Sequence, residues 1–189
     1  MVSFRSELVI YVGRIRQFTR RDWLVYVLWV ATIAGLCIAT AAFLAVGVGA
    51  GVSFPVEAFL VPVGAGIFTI AIAVDTIGHR TIYRDAIAGG EALVHQITIG
   101  CGIGSVVLLV AAYAHRAAAI PAAVLTALSI LYSLIDEGFH WRRYVRQGAD
   151  RVEMWSHVGI LSGHVLMMAA WWWCYALGYP GVAETLARR

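Results

Sequence analysis

The sequence predicts an all-α integral membrane protein: five transmembrane helices, the last four a bundle of two duplicated helical hairpins, preceded by an amphipathic surface helix. Three observations predict it. Apolar residues make up 61% of the 189 and charged residues 13%, whereas soluble domains sit near half and a quarter; mean hydropathy is +0.79. Five stretches approach or exceed the ~20 apolar residues that cross a hydrocarbon core. The basic residues, all of them Arg, gather on one side of those stretches. Such a chain is not a disordered tail, a water-soluble enzyme or a nucleic-acid-binding protein. Its first partner is the lipid bilayer.

The expected spans are Leu24–Val46, Ala58–Ile77, Ala92–Ala114, Ala118–Ile135 and Trp155–Leu177. Gly47–Pro55 is a Gly-rich turn closing on proline, and His115–Pro121 is a tight hairpin. Arg80–Gly90 and Trp141–Asp150 are polar connections. Arg5, Arg14, Arg16, Arg20 and Arg21 precede the first span; Arg80 and Arg84, then Arg142, Arg143, Arg146 and Arg151, fall in the two polar connections. The positive-inside rule places that face in the cytoplasm, with the N-terminus, and the C-terminus outside the cell (inner) membrane. Trp171, Trp172, Trp173 and Tyr175 form an aromatic belt at the outer end of the last span. Residues 1–22 carry no signal-peptide plan. Phe4, Leu8, Tyr11, Ile15 and Phe18 recur every three or four residues between arginines, the pattern of a basic interfacial helix. Residues 23–189 form the transmembrane domain. Cys37, Cys101 and Cys174 each lie in an apolar run without metal or redox spacing.

An internal duplication is the most informative signal, with copies at about 58–114 and 118–177. Asp75, His79 and Tyr83 recur as Asp136, His140 and Tyr144 at an offset of 61, and Glu91 and His95 recur as Glu153 and His157 at 62. Each outgoing helix ends in Asp-x3-His and each returning helix begins with Glu-x3-His. Residues four apart share a helix face, so each helix end presents a carboxylate beside an imidazole.

A charge inside the bilayer costs at least ~2.5–3.5 kcal/mol on insertion scales. Converging carboxylates and imidazoles are the ligand inventory of a dinuclear metal site in a helical bundle, and the cations would neutralise the carboxylates. The candidate ligands are Asp75, His79, Glu91, His95, Asp136, His140, Glu153 and His157. Glu137, three residues before His140, and His164, ~10 Å deeper on the face of His157, are additional candidates. Tyr83 and Tyr144 are candidate hydrogen-bond donors to a ligand carboxylate. Arg84, Arg143 and Arg146 suit either that role or anionic lipid headgroups. The expected cofactors are two metal ions, iron or copper, with zinc as an alternative. Gly100-x3-Gly104 and Gly159-x3-Gly163 are packing motifs.

At these residues the sequence resembles the C subunit of the copper membrane monooxygenases, the particulate methane and ammonia monooxygenases. Asp75-x3-His79 followed by Arg84-Asp85 is similar to the first metal-binding stretch of that subunit, and Asp136-Glu137-x2-His140-Trp141 to the second, with Asp136 where that family has Asn. The resemblance covers Asp75–His157 with gaps. His79 to His95 is a longer step than in that family, and Glu91 and Glu153 are extra. It implies copper at Asp75, His79 and His95, a neighbouring site at Asp136, His140 and His157, and partner subunits; a homo-oligomer is the other expectation.

The leading functional reading is an oxygen-activating oxidoreductase, monooxygenase-like, with a hydrophobic small-molecule substrate. An ion or proton transporter or channel using the same cluster is the alternative. A zinc membrane hydrolase and a b-type cytochrome are lesser ones.

Overall fold

A computed structural model describes residues 3–83, 90–148 and 150–188. Its described residues form helices without strands: α1 (Phe4–Gly13), α2 (Arg20–Gly49), α3 (Val56–Thr81), α4 (Gly90–Ala111), α5 (Ala119–Gln147), α6 (Arg151–Ala176) and α7 (Val182–Leu186), with single 3-10 turns at Arg14–Gln17 and Arg116–Ala118. Helices α2 to α6 are each long and apolar enough to cross a membrane. The chain is a multi-pass membrane protein of the expected all-α class.

Local chemistry sets the boundaries. A capping box starts α2 before its apolar run: Thr19 Oγ1 accepts from the Asp22 N–H at 3.3 Å, and Asp22 Oδ2 accepts from the Thr19 N–H at 2.9 Å. Asp150 caps α6, accepting from the Val152 N–H at 2.9 Å. The connection expected at Trp141–Asp150 is mostly helical instead. Nothing between Trp141 and Gln147 breaks a helix, and α5 runs on to Gly148, whose φ of +64° supplies the left-handed stop. Asp136 and His140 therefore lie in the body of α5, where neighbouring turns hold them. The short α7 adds an element the hydropathy pattern did not announce; it packs on α2.

Helices pair across the two sequence copies. The most extensive contacts are α3 with α6 and α4 with α5; α2 packs on α3, and α5 meets α6 less extensively. The α3–α6 crossing is close because Gly64 and Gly163 face each other. A Cβ on Gly64 would meet Met167 N at 2.5 Å, and one on Gly163 would meet Phe68 N at 2.6 Å. Gly159 also serves this crossing, against Ala71, whereas Gly100 faces open space. The main core, with Val61, Ala65, Leu109, Met167 and Met168, lies beyond it. Several threonine hydroxyls in the spans donate to their own helix, as Thr69 does to Ala65 O and Thr126 to Ala122 O, which satisfies those hydrogens without water.

The stripe Leu8, Tyr11, Ile15 and Phe18 is covered by the bundle: it packs with Val74, Ile77 and Val152 at the end where α3 finishes and α6 begins. Phe4 stays exposed. Arg151 holds Glu7 through two hydrogen bonds of 2.7 and 2.9 Å.

Gly163→Ala is expected to lower the unfolding free energy by about 1–3 kcal/mol, because its methyl meets backbone that cannot yield, against a helix-propensity gain of about 1 kcal/mol. Gly100→Ala, facing open space, is expected to be neutral or slightly stabilising. Thermal unfolding in mild detergent compares them; equal melting temperatures would reject Gly64–Gly163 as the tight point.

Candidate metal centre

Four helices meet at the polar end of the bundle. Helix α3 brings Asp75 and His79 one turn apart, α4 brings His95 in its second turn, α5 brings Asp136, Glu137 and His140, and α6 brings Glu153 and His157. His157 is the hub. Its Nε2 is 3.0 Å from Asp75 Oδ1, and its Nδ1 is 3.4 Å from Glu137 Oε1 and 3.8 Å from Asp136 Oδ2. His79 Nε2 is 3.3 Å from Asp75 Oδ2, and His95 Nδ1 is 3.1 Å from Asp136 Oδ1. The His140 and His157 rings stack at 3.4 Å, and His79 stands edge-on to His95 at 5.1 Å. Asp75, Asp136, His140 and His157 are all buried.

These atoms are close without being aligned for hydrogen bonds. Asp75 Oδ1, His79 Nε2, His95 Nδ1, Asp136 Oδ1 and His157 Nε2 are buried and make none. Buried polar atoms are rarely left so. Ring nitrogens and carboxylate oxygens crowded together in this way suit a cation that several of them share. Among the described residues, two groups could hold a metal ion: His79, His140 and His157, and His95, Asp136 and His140, with one ligand atom from each residue all within 4.8 Å of one another. Bonds of ~2.1 Å place opposed ligands about 4.2 Å apart, so slight closure suffices.

Glu153 sits behind this cluster. Its Oε1 is 2.9 Å from His140 Nδ1 and accepts from Arg143 Nη1 at 3.1 Å, while its Oε2 accepts from the Tyr83 hydroxyl. Arg143 also lies over the Tyr83 ring, 4.9 Å from its centroid. Burial, then the neighbouring carboxylate, pushes the Tyr83 phenol well above its ordinary range, so it stays a donor. A carboxylate on one ring nitrogen sets the tautomer and turns the other nitrogen toward the site. Tyr83 is therefore a hydrogen-bond donor to the Glu153 carboxylate.

Other candidates fall elsewhere. Tyr144 lies against Trp141 and lines a surface cleft with Glu7 and Arg151. His164 is outside the cluster; its Nε2 is 2.9 Å from Ser129 Oγ, and its ring meets Phe68 edge-on. The Glu91 side chain and Arg84 lie outside the described residues. Two participants escaped the sequence reading. Tyr11 is 1% exposed, and its hydroxyl presses on Gly78, where any Cβ would collide with it; burial and then the Asp75 and Glu153 carboxylates raise its pKa. Its one signal was a phenol inside an apolar stripe. Ser129, partner of His164, had none, being one small hydroxyl in an apolar run.

A cavity of about 580 Å³ joins the cluster to the interior of the spans. Asp75, His79, His95, Asp136, Glu137 and His157 line one end. His164 lies farther in, and Leu36, Val106 and Met167 line the far end.

Glu153→Ala strips His140 and Arg143 of a shared buried partner and is expected to cost about 3–5 kcal/mol of stability. Tyr83→Phe removes one hydrogen bond to a charged acceptor and is expected to cost about 1.5–3 kcal/mol. Denaturant titration in detergent checks both, and a smaller loss for Glu153→Ala than for Tyr83→Phe would contradict the buttress role of Glu153.

Compared with protein-family models, with curated proteins and with solved structures, the chain gives no match.

Proposed function

We propose that this is a membrane metalloprotein whose dinuclear His/carboxylate centre activates oxygen to oxidise a hydrophobic substrate. One observation carries the reading: four of the five residues able to hold metal, His79, His95, Asp136 and His157, line the polar end of a largely apolar cavity inside the spans, with His140 stacked behind His157. The two candidate groups share His140. With Nδ1 engaged by Glu153, His140 has one nitrogen facing the cluster and serves one ion. A consistent division gives one ion to Asp75, His79 and His157 and the other to His95, Asp136 and His140, with Glu137 beside them. Mixed imidazole and carboxylate donors suit iron or copper, with zinc as the competitor.

The metals would supply electron transfer to oxygen. The remaining roles belong to the chain. Oxygenation of R–H by O2 gives R–OH and water and consumes two protons and two electrons, so a reduced donor, a quinol or a partner subunit, completes the reaction. The apolar cavity holds R–H and excludes bulk water. Glu153, Arg143 and Tyr83 fix the orientation of His140. The similarity of Asp75-x3-His79 and Asp136-x3-His140 to the C subunit of copper membrane monooxygenases supports this assignment. So does the arginine distribution, which sets the site at the cytoplasmic side. A transport path would need polar groups through the whole depth, and Leu36, Val106 and Met167 line the far end of the cavity.

Elemental mass spectrometry on the purified protein is expected to find about two equivalents of iron or copper, as in dinuclear bundle sites, and the His79→Ala/His140→Ala variant is expected to lose them. Wild type that stays metal-free after reconstitution overturns the proposal, and zinc alone moves it to hydrolysis. Acidification is expected to release the metal, because protons compete for the ring nitrogens and carboxylates that would bind it. Metal content unchanged down to the carboxylate range, roughly pH 4, would count against histidine ligands.

A further inference from the structure

The cavity opens sideways. Helices α2 and α4 line opposite walls but make no extended contact with each other among the described residues. The cavity-lining residues at this gap are exposed as well: Ile103 is 47% and Val107 60% accessible, and Thr32 is exposed on the α2 side. All three lie within helices able to span the membrane, so the mouth faces lipid. Size and polarity then restrict the occupant. From His157 to Met167 the cavity follows α6 for ~15 Å at 1.5 Å per residue. An extended chain covers ~3.5 Å per three bonds, so about a dozen carbons fit that depth. At roughly 30 Å³ per liquid-packed group, 580 Å³ holds about 20 non-hydrogen atoms. A partner helix of the same length and 10–12 Å diameter would need about 1,200 Å³ or more, twice what is there. Polar groups at one end and apolar ones at the other match a ligand with a head and a tail.

We propose that this cavity binds a single-chain, membrane-soluble amphiphile, entering between α2 and α4, with its oxygen-bearing head at Asp75, His79 and His95 and its tail reaching Met167. The inference deepens the proposed function by naming the substrate class, and it rests on that reading only for what happens to the ligand. His164, held by Ser129, lies part-way along the wall, where it marks the boundary between the polar and apolar halves of the slot. Binding itself needs no turnover and is tested apart from it.

The full chain, reconstituted in phosphatidylcholine vesicles, is irradiated with a long-chain alcohol carrying a diazirine near its tail end. Labelled residues are mapped by mass spectrometry, with and without excess dodecanol. Competed labelling is expected at Leu36, Val106 and Met167, and uncompeted labelling at outward-facing residues such as Ile38 and Ile120, both exposed. Ile103→Trp and Val107→Trp narrow the mouth at exposed positions and are expected to abolish the competed label while leaving metal content unchanged. Labelling that dodecanol does not compete, or that survives both substitutions, overturns the proposal. An Ile103→Cys variant that cross-links two copies through that position would also overturn it, because the mouth would then be an interface. The two readings fail separately: competed label without bound metal removes the metal centre and keeps the lipid site, and bound metal without competed label does the reverse.

Discussion

The bundle depends on how ionisable side chains at the ends of membrane-spanning helices are satisfied. An isolated charge there costs at least ~2.5–3.5 kcal/mol on insertion scales, and this chain places several in one region. Several lie within ion-pair distance of a group on another helix, while His79 lies against Asp75 of its own. Asp75 of α3 meets His157 of α6, His95 of α4 meets Asp136 of α5, and His140 of α5 meets Glu153 of α6. These are the helix pairs that pack: α3 with α6, α4 with α5, and α5 with α6. Lipid supplies no hydrophobic drive between apolar helices, so a polar cluster is well suited to choose which helices become neighbours. It does so by penalising every other arrangement, since a wrong pairing buries charges alone.

Geometry away from the cluster follows from two unlike contacts. Gly64 and Gly163 let α3 and α6 approach to backbone distance. On the other side, Gly104 of α4 faces the Leu125 side chain of α5. Each pair is internally tight, while α2 and α4 stay apart. The space between them is the cavity, bounded at one end by the His/carboxylate cluster and at the other by the core around Met167. Polar partners fix the pairing, and the cavity is what the pairing leaves over.

Much of this was legible in the residues. Hydropathy located all five spans, because about 20 apolar residues have few alternatives to a membrane. Spacing found the cluster, because i and i+4 share a face whatever the rest of the fold does. His79, His95, Asp136, His140 and His157 all fall in the two groups able to hold metal. Spacing within one helix cannot show what approaches from another, and the differences lie there. Glu153, a candidate ligand by its spacing, meets His140, Arg143 and Tyr83, contacts that its spacing did not show. Tyr83 and Tyr144 occupy equivalent repeat positions, yet Tyr83 meets Glu153 and Tyr144 does not. Helix α5 outran its expected end because arginines at the membrane boundary continue a helix as readily as they begin a loop. Gly64 was passed over because no glycine four residues away flagged it.

The first helix has a role that its amphipathic pattern left open. An apolar stripe with flanking arginines suits a membrane surface, but here Leu8, Tyr11 and Ile15 are covered by α3 and α6. Tyr11 reaches Gly78, between the cluster residues Asp75 and His79. The ion pair of Glu7 with Arg151 is partly exposed and adds little, although it holds the Glu7 carboxyl below its usual range. That contribution is present above the ordinary carboxylate pKa and is lost as pH falls through the lowered one. Burial of the stripe is therefore the larger contribution to the docking of α1, which is expected to depend little on salt or mild acid. A firmly docked α1 covers part of the bundle's polar end beside the cluster, while the far side of the cavity stays open between α2 and α4. On the function proposed above, water and membrane-soluble molecules would meet the site from different directions, which suits chemistry that takes its substrate from lipid and must limit the water that arrives with it.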